Sequence, residues 1–228
     1  MTAEVLENLE REGWAWHRAS VDSMQLSALR EEVERLAAAE PATAHGIRGL
    51  LQHSPTIARW AKSDVVRRLL PAGLEPVRGI LFDKIPGANW VVAWHQDLTL
   101  AVVERRETPG YGPWSSKDGA WHVQPPVALL DRMVTLRLHL DDTPATNGAL
   151  RVLPRSHACG KLSAEDIQQW RADVPERVCE ALAGDILLMK PLILHASSPA
   201  TQAEHRRVIH VEFAPPESLH EALQWRNW

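Results

Sequence analysis

Trp90-Val91-Val92-Ala93-Trp94-His95-Gln96-Asp97 closes on a His-x-Asp pair, and Pro191-Leu192-Ile193-Leu194-His195-Ala196-Ser197-Ser198 brings a second histidine far downstream. Residues i and i+2 of an extended strand point to one face, so His95 and Asp97 reach a single ion while Gln96 turns away. The distant histidine then has to come from a neighbouring strand. Two imidazoles and one carboxylate on a β scaffold are the ligand set of a non-haem iron(II) site, whose free positions admit a chelating cosubstrate and oxygen. A closed four-cysteine structural site has no such opening. The pair is weak on its own, because the chain holds 11 histidines and short motifs recur by chance.

Support comes from the residues after His195. The run from His195 to Phe213 reads as a turn and then a strand that opens with Arg206 and Arg207. A site that takes a dicarboxylate cosubstrate needs a fixed cation for the far carboxylate, and the planar fork of arginine suits that task. Alternation puts Arg206 with Val208, His210 and Glu212 on one face, and Arg207 with Ile209, Val211 and Phe213 on the other. Periodicity does not choose between the faces, and an arginine pair at a strand entry also serves as a solvated edge.

Taken in order, His95-Gln96-Asp97, Asn147-Gly148-Ala149-Leu150-Arg151-Val152-Leu153-Pro154-Arg155-Ser156-His157, Gly184-Asp185-Ile186-Leu187-Leu188, and His195 followed by Arg206 resemble the ordered motifs of the phytanoyl-CoA dioxygenase superfamily. The resemblance runs from about Pro76 to Phe213. It implies that His95, Asp97 and His195 bind iron(II). The arginine eleven positions after the distal histidine, Arg206, would clamp 2-oxoglutarate with help from Ser197, while Thr135 and Arg137 would line the cosubstrate pocket. The implied cofactor set is Fe(II), 2-oxoglutarate and O2, and the implied reaction is hydroxylation of an unactivated C–H bond with release of succinate and carbon dioxide. Asp97 argues against halogenation, because halogenating relatives lack that carboxylate. Pro154-Arg155-Ser156-His157 departs from the family's Pro-Gly-Ser-His, which puts the local loop geometry in question. Two rival readings use the same residues: a non-catalytic jelly-roll protein that binds a metal or small molecule, and a zinc-dependent hydrolase.

Composition fits this reading. The chain has 228 residues, 45% of them hydrophobic, which suits a single domain spanning 1–228. The expected fold is mostly β with flanking α-helices around a double-stranded β-helix (jelly-roll, cupin-like) core. A net charge of -4 with interspersed signs argues against a nucleic-acid partner. No apolar run reaches membrane-spanning length and the N-terminus lacks a leader pattern, so a soluble cytoplasmic protein is expected. Cys159 and Cys179 are too few for a disulfide framework and read as reduced bystanders. Ten tryptophans against one tyrosine and two phenylalanines suggest that Trp90, Trp94, Trp114 or Trp121, which bracket the motif, lines a substrate pocket.

Along the chain, residues 1–75 read as a mainly helical buttress. Asp22-Ser-Met-Gln25 begins a helix whose Leu26, Leu29, Val33 and Leu36 recur at helical spacing until Pro41. A second helix is expected from Pro55 to Leu70. The jelly-roll core should occupy 76–214, beginning with a strand near Val77 in which Arg78, Ile80, Phe82 and Lys84 share a face. Arg78 and Lys84 are candidate cations for an acidic substrate or cosubstrate. The Pro- and Gly-rich stretch 98–130 shows little periodicity and reads as an active-site lid, with Tyr111, Trp114, Trp121, His122 and Gln124 as candidate substrate contacts. Trp94 joins them on proximity to the motif. Strands are expected at Met133–Leu140, Ala149–Leu153, Arg177–Leu182 and Asp185–Leu194, a short helix after Ser163, and another after Pro215 that ends in Trp225 and Trp228. The expected substrate is a small molecule carrying a carboxylate or another anionic group.

Overall fold

Alternation on β7 (Val134–His139) explains how the chain layers. Val134, Leu136 and Leu138 point to a helix-covered face, where they join one apolar cluster with Leu9, Leu29, Val33, Leu50, Ile57 and Val66. Thr135, Arg137 and His139 point the other way, into the space between two sheets. The computed structural model describes residues 1–39, 45–117, 119–202 and 204–226.

The larger sheet has the order β1-β10-β7-β12-β2, built from β1 (Trp14–His17), β10 (Ile186–Met189), β7, β12 (Arg206–Ala214) and β2 (Glu75–Lys84). A four-stranded sheet faces it in the order β3-β11-β8-β9, with β3 (Val92–His95), β11 (Leu194–Ser197), β8 (Leu150–Leu153) and β9 (Arg177–Cys179). All pairings are antiparallel, and from β9 to β12 the successive strands alternate between the two sheets, as in a jelly roll. Between the sheets, Leu150, Val152, Leu187, Met189 and Ile193 fill one end with apolar side chains. Each fully buried side chain of this kind stabilises the fold by roughly 1.5–3 kcal/mol. The opposite end is left to polar groups.

Helices α1 (Ala3–Glu12), α2 (Ser23–Ala39), α3 (Leu50–His53), α4 (Pro55–Ala61) and α5 (Asp64–Leu69) cover the larger sheet. Asp22 caps α2 by accepting the Gln25 N–H at 2.8 Å, and Leu26, Leu29, Val33 and Leu36 are its buried residues. Pro41 and Trp228 lie outside the described residues. Two short helices lie between later strands: α6 (Val127–Asp131) just before β7, and α7 (Ala164–Asp173) between β8 and β9, the latter opened by a full capping box from Ser163 and Asp166.

The structure corrects several expectations. The first seventy residues are not all helical, because Gly13 at φ 83 ends α1 and the next four residues pair with β10 as an edge strand. That pairing is long-range, which no local pattern signals. The helix expected from Pro55 to Leu70 is two helices, since Ser63 interrupts it and caps α5 through the Val66 N–H. Asp185–Leu194 divides between the two sheets at Pro191. Residues 98–130 are not patternless: β4 (Leu100–Val102), β6 (Ala120–Val123) and β5 (Trp114–Lys117) form a third sheet in that order. These strands are too short for a clear period. Among the described residues after Pro215 only the single turn Pro216–Ser218 is helical, and Trp225 instead bridges Val102.

Arg155 answers the question raised by its loop. It adopts φ 68, the left-handed conformation that favours glycine. The loop shape is kept because the Arg155 N–H donates to Glu12 O at 3.0 Å and its side chain lies 3.6 Å from the Glu12 carboxylate. His157 adds to the same contact, with Nε2 3.0 Å from Glu10 O. The Pro-Arg-Ser-His turn thus docks the end of α1 on the barrel.

Candidate metal centre

β11 lies beside β3 with His195 opposite His95, so the pairing itself brings the distal histidine to the His-x-Asp pair. His95 Nε2 is 3.6 Å from Asp97 Oδ1, and His195 Nε2 is 3.7 Å from Asp97 Oδ2. One donor atom from each residue lies within 4.8 Å of the others, a spacing that fits around one ion bound at about 2.0–2.2 Å from each. Both imidazoles are aimed by their own backbone. His95 Nδ1 meets Ala93 O at 2.8 Å and His195 Nδ1 meets Ile193 O at 2.9 Å, which makes Nδ1 the protonated nitrogen and leaves Nε2 free to ligate. Asp97 Oδ2 is buried without a hydrogen-bond donor. A cation supplies what that oxygen lacks.

The local electrostatics favour the ligating forms. Loss of water pushes the Asp97 carboxyl up, but His195 and the hydrogen bond to His95 outweigh it and hold the group well below the usual carboxylate range. Burial pushes His195 down to about 4 against the pull of Asp97, so its ring is neutral at pH 7. For His95 burial also opposes protonation, yet the hydrogen bond and charge of Asp97 prevail and raise its pKa. A metal ion bound at Nε2 would compete with that protonation. His95 is the open side of the triad, with 40% of its side chain exposed against 5% for His195.

A cavity of about 170 Å³ adjoins the triad, lined among others by Phe82, Trp90, Arg137, Ser197, Arg206 and His210. β12 and β2 pair so that Arg206, Val208, His210 and Glu212 face Lys84, Phe82, Ile80 and Arg78. Arg206 therefore points into the barrel. Arg207 points out, held at 2.8 and 2.7 Å by Asp141 and at 2.7 Å by Glu34. Arg206 donates through Nη1 to Gly148 O and, at 3.2 Å, to Ser197 Oγ. Lys84, wholly buried, donates to the same Ser197 Oγ at 2.6 Å and to Ser198 O at 2.8 Å. Arg137 donates to His210 Nδ1 at 2.9 Å, which leaves the His210 Nε2–H directed at Glu212 Oε1, 3.6 Å away. The Nε atoms of Arg137 and Arg206 are buried without acceptors. Among the described residues, Lys84, Arg137 and Arg206 make no ion pair with a carboxylate. Burial, followed by repulsion from Arg206 and Arg137, pushes the Lys84 ammonium down to about 7.

The other sequence candidates lie elsewhere. Thr135 is buried on the inner face of β7 with Oγ1 unpartnered. Arg78 is held by Glu212 at 3.0 Å. Trp94 lies on the outer face of the smaller sheet, where it lines a separate groove of about 620 Å³ beside Arg151. Trp114, Trp121 and His122 belong to the third sheet, and Gln124 accepts a hydrogen bond from Lys161 at 2.5 Å. Tyr111 packs edge-on against His220. None of these lines the metal cavity. Sequence reading did not single out His210, Phe82 or Leu150, which do line it. His210 shares a face with Arg206, and Phe82 shares one with Lys84, so alternation from the clamp residues points to both.

Among the described residues no helix is long and apolar enough to cross a membrane. No curated protein matches the chain by sequence. Solved structures share the fold across nearly all of it. AviO1 from Streptomyces viridochromogenes Tue57 is 19% identical with a TM-score of 0.70, covering 96% of each chain. HygX from Streptomyces hygroscopicus, solved with nickel, 2-oxoglutarate and hygromycin B bound, is 20% identical with a TM-score of 0.66, covering 95% of this chain and 88% of its own. SnoN, a non-heme alpha ketoglutarate dependent epimerase from nogalamycin biosynthesis, is 15% identical with a TM-score of 0.68, covering 92% and 81%. The sequence model of the phytanoyl-CoA dioxygenase (PhyH) family matches residues 9–208, and this chain, with its His-Asp-His triad inside that span, belongs to the family.

Proposed function

We propose that the protein is an Fe(II)- and 2-oxoglutarate-dependent dioxygenase that hydroxylates an unactivated C–H bond of a small molecule. The observation that carries this is the charge of the cavity: two buried arginines without carboxylate hydrogen bonds, Arg137 and Arg206, line it beside a triad made for a divalent metal, and the buried Lys84 reaches it through Ser197. A bound anion relieves that arrangement, because a buried charge without a partner costs several kcal/mol. A dicarboxylate that chelates the metal at one end and reaches Arg206 at the other fits it. His95, Asp97 and His195 would hold iron. Arg206 and Ser197 would hold the far carboxylate, with Lys84 behind Ser197 and Arg137 beside the metal. When bound, iron with 2-oxoglutarate and oxygen supplies the oxidant, and the balance is R–H + 2-oxoglutarate + O2 giving R–OH + succinate + CO2.

At about 170 Å³ the cavity is below the roughly 300–1,000 Å³ of drug-sized sites. The substrate therefore meets the metal from the open side at His95, beside Trp90, with segment 98–130 as its lid. HygX, solved with hygromycin B bound, and SnoN, from nogalamycin biosynthesis, support a small-molecule substrate rather than a polymer. SnoN also shows that an epimerase can share this fold. The cytoplasm suits the two free cysteines.

Anaerobic titration with iron(II) and then 2-oxoglutarate, followed by its weak visible charge-transfer band, tests the site. The band should require both additions and be lost in His195→Ala. Its absence from folded, iron-loaded protein would overturn the reading. Product mass separates outcomes: a gain of one oxygen means hydroxylation, and no change in mass means epimerisation.

A further inference from the structure

The residue between two metal ligands is expected to be idle, since it points away from the ion. Here it is Gln96, and it is buried. Its Nε2 donates to Leu192 O at 2.6 Å and to Gly160 O at 2.8 Å, while its Oε1 accepts the Leu162 N–H at 2.9 Å. Two acceptors on one side and one donor on the other leave a single orientation for the amide. These partners belong to separate parts of the chain. Leu192 lies on the approach to His195, and Gly160 and Leu162 lie in the loop between the Pro-Arg-Ser-His turn and α7. The Asp97 N–H adds a fourth bond, to Pro191 O at 2.9 Å.

We infer that Gln96 is the positioning residue of the metal centre: it ties the His95–Asp97 segment, the approach to His195 and the 160–162 loop into one unit that fixes the spacing of the three ligands. This rests on the metal assignment above. The reason for an amide is geometric. The paired backbones of β3 and β11 set His195 opposite His95, but Asp97 lies beyond the last residue of β3, so ladder hydrogen bonds no longer fix its distance from His195. The Gln96 side chain and the Asp97 N–H take over where the ladder stops. Groups of this kind behind metal ligands typically set affinity by about 10- to 100-fold.

The test compares wild type, Gln96→Met and Val33→Ala. Methionine keeps the volume and removes all three side-chain hydrogen bonds, whereas Val33 packs in α2 on the far side of the larger sheet and controls for lost stability. Cobalt(II) serves as the probe metal, read by competition titration and by its visible d–d bands. The expected result is affinity weakened about 10- to 100-fold, with altered bands, in Gln96→Met alone. Equal affinity and identical bands in Gln96→Met and wild type would overturn the inference, as would an equal loss in Val33→Ala. Should Gln96→Met not fold, hydrogen exchange of wild type keeps the test open. Nickel(II) should slow exchange of the Leu162 amide if loop and ligands form one unit, and exchange unaffected by the metal would overturn it. Failure of wild type to bind any divalent metal would sink the metal assignment itself and the inference with it.

Discussion

Lys84→Met should make the empty protein's stability lose a pH dependence that wild type shows. In the fold the Lys84 ammonium falls from 10.5 to about 7, first through burial and then through Arg206 and Arg137. The unfolded chain therefore binds more protons than the folded one between about 7 and 10.5, and wild-type stability rises with pH across that window. At about 1.4 kcal/mol per unit the full span is roughly 5 kcal/mol, and the part between pH 7 and 9 is roughly 2 kcal/mol. Methionine has no such proton. The variant also loses two hydrogen bonds, to Ser197 Oγ and Ser198 O, which offsets its absolute stability but not the slope. Urea unfolding of both proteins without metal or cosubstrate, at several pH values from 6 to 9, measures the difference directly. The gap should shift in favour of wild type by about 2 kcal/mol as pH rises from 7 to 9. A gap constant to within about 0.5 kcal/mol would refute the claim that Lys84 is held against its ordinary protonation. Cosubstrate binding provides the functional counterpart: an arriving carboxylate restores the ammonium, so 2-oxoglutarate affinity in wild type should weaken above pH 7.

His95→Ala, Asp97→Ala and His195→Ala should each abolish metal-dependent succinate release, measured by coupled assay; full turnover in any one would exclude it as a ligand. Arg206→Ala should raise the 2-oxoglutarate concentration needed for half-maximal turnover at least about 10-fold, since charged hydrogen bonds contribute roughly 1.5–3 kcal/mol. Arg207→Ala should leave that requirement unchanged and lower stability by about 1–3 kcal/mol through Asp141, which is 15% exposed. The reverse pattern in the two variants would place the clamp on Arg207. At φ 68, Arg155→Val should cost about 1–2 kcal/mol more than Arg155→Gly in thermal unfolding; equal melting would mean that the turn tolerates any residue.

Much of the site was legible because β alternation is a rule with a period of two. It paired His95 with Asp97, turned Gln96 away, and grouped Arg206 with His210 and Glu212. The same rule sends Trp94 to the opposite face from His95, and the structure finds it there; nearness in sequence was the weaker guide. Alternation defines faces without saying which one is inside. That choice fell to the helices, whose apolar stripes cover Ile209, Val211 and Phe213, and so left Arg206 for the barrel. β1 and the third sheet were not legible. Their strands run to three or four residues, fewer than a period needs, and the partner of β1 lies far away in sequence.

Lys84 marks the deeper limit. Alternation grouped Lys84 with Ile80 and Phe82 and made it a candidate cation, but a lysine at a strand end reads equally as a solvated edge, and burying it alone would be unfavourable, so the local pattern does not decide that it lies inside. Its position makes sense only with register: Lys84 pairs with Arg206, and both reach Ser197. Two like charges at one hydroxyl, with Arg137 close enough to lower the pKa of Lys84, destabilise the empty fold, and that penalty is lifted by whatever anion enters. Cations that the fold itself cannot neutralise thus bind an anion more strongly than cations already paired. By the same reasoning ligand binding stabilises the fold by RT ln(1 + [L]/Kd), about 2.7 kcal/mol at a hundredfold excess over Kd. Stability given up in the empty barrel is returned as cosubstrate affinity, which is why the least foldable-looking residue of β2 belongs to the site.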